Sequence, residues 1–365
     1  MNFDLSDDQK MLAEQARKML EEMSPPDRLR EIIEAKSGFD PELWSALGEL
    51  GFLGAAIPEE FGGLSLSLLE LAVLAEEMGR SNAAVPFFSS IVLAARAIEL
   101  AGTQAQKETW LPRLASGETI ATFAYGEGPG NITPAGVRCE FANGVLSGTK
   151  SPVSDLAIAD IAVVLCRTAT GPALALVELD QDGVSRQALT SFDELRLHGA
   201  LTLNNAKAAL LDQGDAAAIF DQLLNAAAVI TAFEQVGGTE ACLYMARDYA
   251  MERQIFGRQL ASYQAIKHRL ANLYVKLELA RSNAMYATWT LVNDRPDQAQ
   301  AVAAARISAL EAFEFGAREN LQIHGGIGYT FEANCHFYYR RERLLAAALG
   351  NRTHWADRAI SALSA

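Results

Sequence analysis

The chain has 365 residues, of which 50% are hydrophobic and 21% charged, so it can hold a large core or two to three domains and is not a disordered segment. Its 31 Lys and Arg stand against 45 Asp and Glu, a formal net charge of −14. That leaves no broad basic face for nucleic acid, while a small anion held by a few local arginines stays open. Four cysteines, Cys139, Cys166, Cys242 and Cys335, are scattered with no Cys-x-x-Cys pair. We expect reduced, buried thiols, a cytoplasmic protein and no metal centre. The start, Met1 to Lys10, is acidic and lacks a basic-then-apolar signal. No unbroken apolar run reaches the roughly eighteen residues of a membrane span, so none is expected.

Residues 5 to about 120 read as helical. Ser6 before acidic residues is an N-cap signal, and Pro25-Pro26 stops the first helix. Leu43 to Phe52 is a short amphipathic helix closed by Gly51. Ile57 to Gly63 is a tight loop. Leu68 to Met78 is an apolar helix, Pro86 opens another, and a charged helix runs to about Leu114. From about Ile120 the texture changes to short β-like runs broken by Gly, Pro, Asn and Asp. The clearest are Thr122 to Tyr125, Val145 to Thr149, Ile161 to Cys166, Ala173 to Leu179 and Ala200 to Leu203. Such spacing fits a small barrel or sandwich. From about Asp215 long helical segments return. The fold class is mostly α with an inserted β domain: residues 1–119 helical, 120–213 β, and 214–365 a helical bundle.

Two stretches of the last segment carry more than packing requires. Tyr249 to Leu273 reads as two helices joined by a short turn bearing Arg253, Phe256, Gly257 and Gln264. After the turn, Ile266, Leu270, Leu273, Leu277 and Ala280 form one apolar stripe, suited to a partner helix. A guanidinium pairs with phosphate and a phenyl ring offers a stacking face. Farther on, Gln322-Ile323-His324-Gly325-Gly326 ends a long helix. Its adjacent glycines let backbone N–H groups approach a ligand, or else simply close the helix.

Taken with Ile57-Pro58-Glu59-Glu60-Phe61-Gly62-Gly63 and Leu146-Ser147-Gly148-Thr149-Lys150, these motifs resemble the acyl-CoA dehydrogenase family over nearly the whole chain. The resemblance implies an N-terminal α domain, a middle β barrel or sandwich and a C-terminal four-helix bundle, assembled as a homo- or heterotetramer around FAD. It implies that Arg253, Phe256, Gln264, Gln322, Gly325 and Gly326 hold the adenosine and pyrophosphate part of FAD across a subunit interface. It places Ser154 where a Thr bonds flavin N5, and Pro152 where a Trp stands. It also implies an acyl-CoA substrate and an electron-transfer flavoprotein as electron acceptor.

The family's reaction needs a carboxylate against the substrate's α carbon. Counting on from Arg341, the usual Glu position falls on Gly350. Counting back from Gly257, the alternative position falls on Ala227. Glu234 lies about two helical turns beyond Ala227, about 10 Å along the axis, and is either a displaced base or an ion-pair partner. Two functions follow: an acyl-CoA dehydrogenase, alone or as one subunit of a heteromer for bulky, steroid-type thioesters; or a base-lacking companion subunit that completes a partner's FAD site. The segment from Ala83 to Leu93 and the base-poor C-terminus favour the resemblance to short heteromeric subunits.

Overall fold

The computed structural model describes residues 4–130 and 133–363; Met1, Asn2 and Phe3 of the acidic start lie outside them. Ser6 caps α1 (Asp7–Met23), with its hydroxyl accepting from Gln9 N–H and the Gln9 side chain accepting from Ser6 N–H. The double proline stops α1 and also starts α2 (Pro26–Glu34), because a proline at a helix's first turn has no N–H to waste. Asp40 caps α3 (Pro41–Glu49), and Gly51 takes a left-handed φ of 75° to turn the chain after it. The tight loop contains a 3-10 turn, Glu59–Phe61. Then comes α4 (Leu68–Ser81).

The helix expected after Pro86 is a π-helical segment, Phe87–Ala95, running into α5 (Arg96–Ala101). All nine π-helical residues are buried. Its serines are tied outward: Ser90 Oγ accepts from Ala121 N–H at 3.0 Å, and Ser89 Oγ donates to Asp155 Oδ2 at 2.6 Å. A wider turn re-aims such side chains where a regular helix would not. Thr103 then opens α6 (Gln104–Ala115) with a second capping box.

Eight strands follow: β1 (Ala121–Ala124), β2 (Glu140–Ala142), β3 (Val145–Ser154), β4 (Ile161–Thr168), β5 (Gly171–Glu178), β6 (Val184–Leu189), β7 (His198–Lys207) and β8 (Ala209–Leu211). The expected barrel or sandwich takes the form of one hydrogen-bonded sheet in the order β6-β7-β3-β2-β4-β5-β8, with β1 parallel to β4. β4 opens with six buried residues, Ile-Ala-Val-Val-Leu-Cys, as a central strand should. Strands β2, β6 and β8 escaped the sequence reading because they are short or, in Val-Ser-Arg-Gln-Ala-Leu, largely polar and exposed. Antiparallel pairing of β3 with β7 sets Ser154 opposite His198.

The remainder comprises α7 (Ala216–Glu252), a hairpin of β9 (Gln254–Ile255) and β10 (Arg258–Gln259), α8 (Gln264–Val292), α9 (Gln298–His324), α10 (Cys335–Ala347) and α11 (Arg352–Leu363). Contacts divide the chain into two compact units. One takes the chain to Arg30 with Leu68–Ala83 and Ala228–Ala365; the other takes Glu31–Ser67 and Ala84–Ala227. The second holds the sheet. In the first, α9 packs against α8, α10 and α11. There α4 and α7 cross closely: a Cβ on Gly237 would lie 1.8 Å from Glu76 O, and one on Gly79 2.0 Å from Glu234 O. Of the stripe on α8, Leu273, Leu277 and Ala280 are buried, while Ile266 and Leu270 are partly buried against a smaller cluster.

Among the described residues one helix, α7, is long and apolar enough to cross a membrane, with a mean hydropathy of 1.5 over its most apolar window. The absence of a fully apolar run had not foretold this. However, 67% of that window is buried inside the protein, so its apolar side chains serve the core. All four cysteines are free and buried.

Candidate functional site

The turn expected between two helices is a β-hairpin. Phe256 and Gly257 join β9 to β10 with φ of 49° and 77°. Two central residues at positive φ make the tight turn that suits a two-residue hairpin. Gly257 adopts this conformation freely, but a phenylalanine rarely does. The Phe256 ring is nonetheless 95% exposed, so burial does not explain it. A backbone held in a sparsely populated region that projects an aromatic ring into solvent fits recognition of a ligand or another chain. The hairpin is braced by Leu260 N–H donating to Arg253 O at 2.7 Å and Tyr263 Oη donating to Ile255 O at 3.0 Å. The Arg258 guanidinium lies 3.8 Å over the Tyr263 ring. Arg253 and Gln264, at the end of α7 and the start of α8, are both exposed.

The second motif closes α9. His324 Nδ1 bonds Asn320 O at 2.8 Å, and its ring stacks on Tyr249 with centroids 4.2 Å apart. Burial holds the His324 imidazole below its ordinary pKa, against the opposing effect of the Asn320 bond. The ring thus ties the end of α9 to Tyr249 of α7. Gly325 turns the chain at φ 66°. Side chains built on Gly325 or Gly326 would meet nothing within 4 Å. These glycines therefore leave room for a ligand to approach the backbone.

The two motifs, distant in sequence, share one cluster: Leu260 and Ile323 are buried together with Ala246 and Ala250, and Ile255, Tyr263 and Tyr249 pack against them. The elements carrying Arg253, Phe256 and Gln264 are thereby joined to those carrying Gln322, Gly325 and Gly326. Cations, an open ring, carboxamides and accessible backbone on a strongly acidic chain fit the phosphates and adenosine of a dinucleotide. The tyrosines that hold the motifs together, Tyr249 and Tyr263, were not foreseen, since nothing local marks an aromatic as a brace.

Neither expected base position carries a carboxylate. Gly350 lies between α10 and α11 at φ 95°, where a Cβ would meet His354 Cδ2 at 2.5 Å. Ala227 on α7 is fully buried. Glu234 is buried, and its Oε1 accepts from Arg341 Nη1 at 2.8 Å, with side chains 5% and 1% exposed. Arg341 also reaches Ala83 O at 3.5 Å. Arg341 of α10 is therefore a core ion-pair partner. Arg343 pairs with Glu342 and with Glu314 at 3.3 Å. The fully buried Arg306 donates to Leu345 O, to Gln235 Oε1 and, at 2.9 Å, to Ala348 O. It fixes the chain just before Gly350.

In the other unit, β3 carries Ser154, whose Oγ lies 3.1 Å from His198 Nε2. Burial, then the nearby Arg196 charge, pushes the His198 imidazole below its ordinary pKa. On the same strand Lys150 is fully buried, with Nζ 2.8 Å from Glu127 Oε1. Glu127 also accepts from the Cys139 and Arg138 N–H groups, so the loop leaving β1 is pinned to β3. Beside this pair opens a cavity of about 330 Å³, lined among others by Tyr125, Glu127, Gly130 and Arg138.

The family profile of the acyl-CoA dehydrogenase N-terminal domain matches residues 6–118, and that of the C-terminal domain matches residues 213–354. The chain is 33% identical over 341 residues to acyl-CoA dehydrogenase FadE27 of Mycobacterium tuberculosis, covering 90% of this chain and 89% of that protein. It superposes on a chain of the ChsE4-ChsE5 complex from Mycobacterium tuberculosis with a TM-score of 0.90 and 30% identity, over 100% of this chain and 99% of that chain. For a variant of the Tcur3481-Tcur3483 steroid ACAD the TM-score is 0.91 at 30% identity, over 98% of both chains. Family profiles over both helical segments and a relative a third identical along nearly the full length establish that this chain belongs to the acyl-CoA dehydrogenase family, oxidoreductases acting on CH–CH groups.

Proposed function

We propose that this chain is one subunit of a heteromeric, FAD-dependent acyl-CoA dehydrogenase acting on a bulky, steroid-type thioester, and that a homologous partner chain supplies the proton acceptor. The observation that carries this is the pair Gly350 and Ala227 at both base positions, with Glu234 engaged by Arg341. The likeness to the ChsE4-ChsE5 complex and to a steroid ACAD supports both the heteromer and the substrate class. Bound FAD supplies the acceptor for the substrate's β hydrogen as hydride. This chain's own residues then have binding roles. Arg253 neutralises a phosphate, Phe256 stacks, Gln264 and Gln322 bond polar edges, and Gly325 and Gly326 admit the pyrophosphate. Ser154 faces flavin N5. We take residues 1–119, 120–213 and 214–365 as the three domains, an electron-transfer flavoprotein as electron acceptor, and the cytoplasm as location.

Co-expression with an adjacent dehydrogenase-like chain, with flavin counted per subunit, tests the reading. Colourless protein alone and a yellow complex are expected. A homomer that is yellow and bleached by an acyl-CoA would end it. In that case Glu234 is the second candidate, since it lies on the same helix as Ala227. Glu234→Gln would then abolish bleaching in the folded protein.

A further inference from the structure

Ser154 and His198 are register partners on adjacent antiparallel strands, so their side chains emerge together on one face. Their backbones are fixed on both sides. Thr122 Oγ1 donates to Ser154 O at 2.7 Å, and Asp155 N–H donates to Leu197 O at 2.8 Å. Asp155 is itself held by Ser89 of the π-helical segment. The pair is therefore preset, with Ser154 half-buried and its oxygen 3.1 Å from Nε2.

A hydroxyl has one hydrogen and two lone pairs. Burial and the Arg196 charge lower the His198 pKa and so favour the uncharged ring, while a bond to the Arg196 backbone opposes that shift, as a donated ring N–H does. That leaves Nε2 as an acceptor. The Ser154 hydrogen then points to His198, and the serine oxygen presents lone pairs to whatever lies in front of it. Oxidised flavin offers a lone pair at N5, whereas reduced flavin offers N5–H.

We propose that His198 is a positioning residue that sets the polarity of the Ser154 hydroxyl, so that the site favours a flavin carrying hydrogen on N5 over the oxidised form. This rests on the reading of Ser154 as the N5-facing hydroxyl. One hydrogen bond gained by one redox form is a roughly tenfold preference, or about 30 mV for a two-electron couple.

The test is the visible spectrum and midpoint potential of bound FAD, in the FAD-loaded chain or in its complex. His198→Phe is expected to lower the potential by that amount, because the freed hydroxyl can donate to oxidised N5. His198→Gln, which keeps an acceptor, is expected to restore most of the shift even where the Phe variant folds poorly. Ser154→Ala is expected to lower the potential too, with no further change on adding His198→Phe. If Ser154→Ala leaves both spectrum and potential unchanged, the serine does not face the flavin and the underlying reading fails. If Ser154→Ala shifts them while His198→Phe does not, or if the His198→Phe shift persists without the serine, the positioning role is overturned.

Discussion

At the scale of single residues, the charges that matter are the buried ones. Burial pushes Glu127 toward neutrality, yet bonds from Lys150 and from the Cys139 and Arg138 N–H groups win and hold its pKa down to about 2. A carboxylate whose folded pKa lies below its ordinary value stabilises the fold above that value and loses the contribution as pH falls through the folded one. Between pH 4.5 and 2 the protein should lose on the order of 3 kcal/mol from this group. Denaturant titrations at pH 6 and pH 3 should show that slope, and Glu127→Gln should flatten it. The Glu234–Arg341 pair behaves differently. Glu234→Gln strips a buried guanidinium of a carboxylate and should cost about 3–5 kcal/mol, read as a lower denaturation midpoint. Adding Arg341→Met should recover part of the loss, as expected if the pair is a core element whose charges need each other. The same measurement guards the bleaching assay, since activity lost through unfolding would imitate a lost base.

At the scale of elements, two contacts define what the helices can tolerate. The α4–α7 crossing depends on glycine because the partner atoms are backbone carbonyls, which cannot swing aside as a side chain end can. Gly237→Ala should force the helices apart and cost about 1–3 kcal/mol, visible as a lower melting temperature. The β9–β10 hairpin is the opposite case. Phe256 is almost wholly exposed, so Phe256→Ala should change stability by no more than about 0.5 kcal/mol. If its ring stacks on the adenosine part of FAD, flavin affinity should nevertheless fall at least roughly tenfold. Unchanged flavin affinity would remove Phe256 from the site.

At the scale of the whole molecule, the helical unit leaves large apolar groups uncovered. On α8, Tyr274, Val275 and Leu279 are all more than half exposed, on the side away from the buried Leu273, Leu277 and Ala280. Tyr244 and Met251 of α7 are exposed as well. Apolar side chains gathered on one helix suit a contact with another chain. Leu279→Asp should leave the protomer folded while reducing the assembled fraction, as measured by light scattering of the co-expressed complex. The Phe256 hairpin and this face are the places where a subunit without its own base would have most to gain from a partner.

Much was legible in the residues themselves. The N-cap at Ser6, the proline stop after α1, the stripe on α8, and the order of helices, strands and helices depend on local periodicity and hydrogen bonding, which neighbours in sequence already specify. The π-helical turn, the polar strand β6 and the hairpin at Phe256 were not, since each is set by what packs against it. The same holds for the pairings of Glu234 with Arg341, Lys150 with Glu127 and Ser154 with His198. A residue's type declares which bonds it can make. Only the folded chain decides which partner it finds, because burial and distance, not sequence separation, set the strength of each.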